Sequence, residues 1–217
     1  MCAALSLGTA FSAGVYASQT FNSILMRTRL RELIGPALFE ATFVVLGVVI
    51  AYLANEWREK RVHREDAAAA KRAIVAELTG NRAAAKASLA YHTTLLDTLR
   101  KLQRANVAPT IQVFTRGFMS PAQLGATAWE VASQTGVLNH MAYADMLRFS
   151  HVYAEQRRYD LQSTGVSSVI YTELYRAGPM EMAKSGLGIS SLIGTFQYRE
   201  RALVALYDSV ITESSKR

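Results

Sequence analysis

The sequence predicts a mainly α fold: one transmembrane helix continuing into a long helix, followed by a small helical bundle domain. Three observations carry that expectation. Residues 33–54 read LIGPALFEATFVVLGVVIAYLA, twenty-two residues with a single charge, Glu40. The following stretch to about Arg104 is rich in Ala, Leu, Lys, Arg and Glu, with no proline and one glycine, Gly80. Beyond it, apolar residues recur three and four apart, and no alternating run is long enough to build a sheet.

Composition narrows the classes of protein this can be. Half of the 217 residues are apolar and 19% are charged, below the about 25% of ordinary soluble domains, yet the net charge is +7. Disordered chains have the opposite balance. One cysteine excludes a disulfide framework or a multi-thiolate metal site. The length accommodates one domain, or a membrane segment plus one domain.

The chain divides into four stretches. Residues 1–26 form a leader whose first twenty-five residues carry no charged side chain. Without a positive n-region, Val15-Tyr16-Ala17 is a weak cleavage site. Cys2 to Ala17 is short and rich in Ser, Thr and Gly for a second span, and Met26, opening MRTRLREL, is an alternative start. Residues 27–57 are the membrane anchor. A helix over 33–54 spans about 33 Å, enough for a hydrocarbon core of about 30 Å. Arg27, Arg29 and Arg31 precede it. Trp57 stands among Arg58, Lys60, Arg61 and Arg64 at the exit, as a headgroup-level helix end should. Pro36 is read as lying in the first turn of the span, where proline is tolerated. Glu40 is the exception in the span, and an ionisable group there points to a partner or to a position near the interface. Three basic residues precede the span and six follow it closely, which favours a cytoplasmic C-terminal domain. Export of that domain behind an N-terminal anchor is the other reading, and both stand at this stage.

Residues 58–105 are predicted to continue as one helix leaving the membrane, with a bend near Thr79-Gly80. Ile74, Leu78, Ala85, Leu89, Leu96, Leu99 and Leu102 form its buried stripe. Asn81 and His92 lie on or beside that stripe and are expected to be hydrogen-bonded inside a bundle.

Residues 106–217 form the helical domain that packs on the long helix. Pro109 and Gly117 bracket a loop with an extended piece. Ser120-Pro121 reads as an N-cap followed by proline at the first helical position, opening a helix AQLGATAWEVASQ that stops at Thr135-Gly136. A further helix is expected from Ala142 to Gln162, packing through Tyr143, Met146, Leu147, Val152, Tyr153 and Tyr159. Gly165 reads as a break, Val166–Arg176 as helix, Gly178-Pro179 as its stop and Lys184–Gly188 as a turn. The last helix places Ile189, Ile193, Phe196, Leu203, Tyr207 and Val210 on one face, with Arg199, Glu200, Asp208 and Glu213 elsewhere.

Signatures of chemistry are sparse. There is no GxGxxG, Walker loop, HExxH or GxSxG. Four dispersed histidines and one cysteine argue against structural zinc. The best cluster is His140, Asp145, Ser150, His151 and Glu155. His151 and Glu155, four apart, can face each other on a helix, whereas Ser150 and His151 point about 100° apart. A surface charge pair or a satisfied histidine is the preferred reading over catalysis. Nine of the 24 Lys/Arg lie between Arg27 and Arg72, where lipid headgroups account for them without nucleic acid. Seven of the ten tyrosines follow residue 140, as the rim of a helical core or as an interface.

The run FEATFVVLGVVIAYLANEWREKR, with Glu40, Gly47, Ala51, Asn55 and Trp57, resembles a group of bacterial single-span membrane proteins. These carry an acidic residue early in the span, an Asn-x-Trp exit and a long charged helix. AELTGNRAAAKASLAYH and AWEVASQTGVLNHM resemble that group's soluble part. The resemblance covers about residues 27–160. It implies the architecture and a bacterial inner membrane, and it supplies no reaction.

The expectation is therefore a non-enzymatic single-pass protein, an accessory, scaffold or assembly subunit of a larger membrane complex. Glu40, Asn55, Trp57, Arg58 and Arg61 are its candidate membrane or partner contacts. Its partners would be the bilayer and other membrane subunits or itself, with no cofactor, metal or catalytic residue. The alternative is a membrane-anchored helical sensor that binds a small ligand.

Overall fold

A computed structural model describes the backbone of residues 13–215, and the side chains from Leu38 onward apart from Leu187 and Ser215. The readings on residues 1–12, and those resting on the side chains of Tyr16, Met26, Arg27, Arg29 and Arg31, lie outside the described residues. Within them the chain is mainly helical and has no strands. Four helices follow in order: α1 (Ala13–Arg104), α2 (Thr127–Gln134), α3 (Tyr143–Lys184) and α4 (Gly186–Ser215). Short 3₁₀ turns occupy Ile111–Val113 and Val137–His140. The chain separates into two compact units, residues 1–60 and 61–217.

The first unit is carried by α1. That helix begins well before the apolar run, so Pro36 falls inside it and not in a first turn. From Leu38 to Leu53 its side chains are exposed, including Leu38, Phe39, Phe43, Leu46, Val48 and Ile50.

The second unit begins on the same helix. α1 continues without interruption through Thr79 and Gly80 to Arg104. Alanine, leucine, lysine and glutamate supply the propensity, and the one glycine costs only about 1 kcal/mol. Ile74, Leu78, Ala85, Leu96 and Leu99 are buried as the spacing predicts. Leu89 and Leu102 are only partly buried, and Ser88 and His92 occupy the core-facing positions between Ala85 and Leu95. Lys101 and Arg104 stand in the last turn, where cations complement the helix dipole.

Two apolar clusters hold this unit together. One joins Ile74 and Leu78 of α1 with Phe149, Val152, Tyr153 and Tyr159 of α3 and Phe196, Leu203 and Tyr207 of α4. The other joins Leu95, Leu96 and Leu99 with Phe114 and Phe118 of the loop and Ile189 and Ile193 of α4. All six residues assigned to the core face of the last helix are buried. Glu200, placed elsewhere by the sequence, is fully buried among them.

Several local expectations give way to tertiary structure. Ser120-Pro121 does not open a helix, and α2 starts only at Thr127 after an irregular strap over residues 118–126. The end of α2 is as expected, with Thr135 capping and Gly136 at φ +72°. Gly165 makes no break, since α3 runs through it. Gly178 does interrupt the helix, with φ +81° and ψ 162°, a conformation suited to glycine, and Pro179 restarts it. The expected turn over 184–188 shrinks to Ser185 before α4 begins. There Gly186 is required by close approach, because an added Cβ would lie 2.6 Å from Pro109 Cγ. Tyr143 and Leu147, expected to pack, are exposed. The α3 face instead turns on Asp145, Phe149, Val152, Gln156 and Tyr159.

Candidate functional site

The residues singled out at the exit of the apolar run lie on α1. At 100° per residue, Glu40, Gly47, Ala51 and Arg58 fall on one side of the helix, with Asn55 about 60° away and Trp57 about 100° away. Asn55 Oδ1 accepts a long hydrogen bond from Arg58, 3.5 Å, and Lys60 Nζ donates to Glu56 at 2.5 Å. Trp57 is exposed. In the second unit, Arg61 Nε donates to Glu65 Oε1 at 2.9 Å, which raises the guanidinium above its ordinary pKa. Glu40 is exposed on a helix that is long and apolar enough to cross a membrane, and none of its apolar window is buried.

The fold separates His140, Asp145 and Ser150, while His151 and Glu155 line one cavity between α3 and α4. Asp145 is buried and accepts from Lys71 Nζ at 2.8 Å. Glu155 pairs with Arg158, while Ser150 and His151 are exposed. His140 stacks on His63 with ring centroids 3.9 Å apart. Among the described residues no three His, Cys, Asp or Glu side chains are grouped to hold a metal ion.

The most organised polar region is one the sequence only half revealed. It fastens the irregular strap to the helices. His92 Nδ1 lies 3.0 and 2.9 Å from the two oxygens of Glu200, and Nε2 accepts the Ser120 N–H at 3.3 Å. An acceptor at Nε2 assigns the ring proton to Nδ1, directed at Glu200. Ser88 Oγ lies 2.6 Å from the Ser120 carbonyl and 2.5 Å from Glu200 Oε1. Tyr159 donates to Glu200 Oε1 at 2.8 Å and accepts the Ala122 N–H at 2.8 Å. Asn81 accepts the Gly125 N–H at 2.8 Å and donates to its carbonyl at 2.7 Å. Gln156 donates to the same carbonyl at 3.0 Å and accepts from Tyr207 at 2.8 Å. Glu77 closes the row, taking the Ala128 N–H at 3.0 Å and the Tyr153 hydroxyl at 2.6 Å.

The physical reason is plain. A strap without internal backbone bonding, laid across a core, strands its peptide groups unless side chains satisfy them. Residues 77, 81, 88 and 92 share one face of α1, and that face supplies the partners. Burial pushes the Tyr153, Tyr159 and Tyr207 phenols well above the ordinary range. Glu77 and Glu200 add to the effect at Tyr153 and Tyr159, and Asp160 at Tyr207. Asn81 and His92 are thus hydrogen-bonded structural residues, as their position on the stripe suggested. Glu200 was missed, although its place between Phe196 and Leu203 continues the apolar spacing and was the available signal.

Comparison with protein-family models, with curated proteins and with solved structures finds no match for this chain.

Proposed function

We propose that this is a non-enzymatic, single-pass protein of the bacterial inner membrane, an accessory or scaffold subunit whose apolar helix docks on another membrane helix. The observation that carries the reading is the exposed apolar run of α1 with Glu40 inside it. Contiguous apolar surface of this extent is rare on soluble monomers and fits lipid. A carboxyl group within hydrocarbon costs several kcal/mol unless a partner satisfies it. Glu40 shares its side of the helix with Gly47 and Ala51, small residues that let a second helix approach closely. Arg58 on the same side and Trp57 beside it suit the headgroup level. The bacterial assignment rests on the resemblance of the span and its exit, and the non-enzymatic one on the lack of catalytic motifs in the sequence.

Solubilisation of native membranes in mild detergent tests the docking. The full chain is expected in a complex, with itself or another membrane protein, that Glu40→Leu weakens while the fold is kept. A strict monomer with no co-purifying protein contradicts it.

A further inference from the structure

We propose that the groove between α3 and α4 binds a small amphiphilic monoanion, a carboxylate with an apolar body, and that Arg199 is its anion-binding group. The site is independent of the membrane reading. The two helices run antiparallel, as the Tyr159–Glu200, Gln156–Tyr207 and Arg148–Glu213 contacts establish. Between them lies a cavity of about 610 Å³, within the range of small-molecule sites.

Its polarity is graded along α4. Arg199 stands in its polar half with Thr195 and Tyr198, partly buried, and has no ion pair or hydrogen bond among the described residues. On the facing helix, Arg148, Arg158 and Arg176 each hold a carboxylate. A partly desolvated guanidinium without a counter-ion is where a carboxylate gains most, because charge-assisted, bidentate bonds are the strong ones. Leu203 and Leu206 follow Arg199 on the same wall, about 6 and 10 Å along the helix. The Tyr159 ring lines the opposite wall. Helix pairing places Glu155 opposite Leu206, with one oxygen on Arg158, and His151 lines the cavity one turn farther along α3. A single negative head at Arg199 with an apolar body over the leucines fits this order. A second negative charge carried past the leucines meets Glu155 before it reaches His151.

Hexanoate is the probe, with hexanol, adipate and inorganic phosphate as comparisons, measured by ligand-observed NMR on the full chain in detergent. Hexanoate is expected to bind with a Kd on the order of millimolar, the affinity open to so few atoms. Arg199→Gln should weaken it about tenfold, and Arg199→Lys less, since a charged hydrogen bond is lost in the first and a cation kept in the second. Hexanol, adipate and phosphate should each bind at least several-fold more weakly than hexanoate. Absent hexanoate binding, equal binding by Arg199→Gln, or equal binding of any comparison compound overturns the proposal.

Discussion

His92 and Glu200 lie 108 positions apart in the chain and share a hydrogen bond with no exposure to water. Buried polar groups of this kind are expensive when left half-satisfied, and here each has several partners. Tyr159→Phe removes one hydroxyl that serves both Glu200 and the Ala122 N–H. It should destabilise the second unit by about 1–3 kcal/mol, because the Ala122 N–H is stranded while Glu200 keeps His92 and Ser88. Urea unfolding of the full chain in detergent, followed by tryptophan fluorescence, checks this through Trp129, which stacks on Tyr153. A loss below about 0.5 kcal/mol, the scale of a neutral surface change, would count against the network. The tyrosines also set an alkaline limit. Tyr153, Tyr159 and Tyr207 hold their protons in the fold to higher pH than in the unfolded chain. Their contribution is complete below about pH 10, where free tyrosine titrates, and is lost as pH rises beyond it. Each can lower stability by up to about 1.4 kcal/mol per pH unit there. A pH series of urea midpoints should therefore fall steeply above pH 10, and substituting Tyr207 with Phe should flatten the fall. Asn81 and His92 were legible because they interrupt an apolar stripe. Glu200 was read as a surface residue because its charge outweighed its position.

Elements show where local signals suffice and where they fail. The α4 face from Ile189 to Val210 could be read from spacing, since burial alone decides it. Ser120-Pro121 misled because a capping sequence competes with long-range bonding, and the Ser120 N–H and carbonyl are already engaged by His92 and Ser88. The two glycines of α3 separate the same effects. Gly165 is helical and a Cβ there meets nothing within 4 Å, so Gly165→Ala should stabilise by about 0.5–1 kcal/mol. Gly178 sits at φ +81°, so Gly178→Ala should instead destabilise by about 1–2 kcal/mol. Thermal or urea unfolding distinguishes the signs, and equal effects at the two positions would refute the kink.

At the scale of the molecule, the excess of apolar residues has one location. The run around Leu38–Leu53 is exposed along its length, while the second unit buries an ordinary helical core. Hydropathy made the run legible, because twenty-two residues with a single charge need no tertiary information to recognise. The strap and its polar fastening were not legible, because each bond joins positions tens of residues apart. The central claim is that the run lies in a bilayer. Washing isolated native membranes with alkaline carbonate tests it most directly. The full chain should stay in the membrane pellet and leave it only with detergent. Its appearance in the carbonate supernatant would contradict the account.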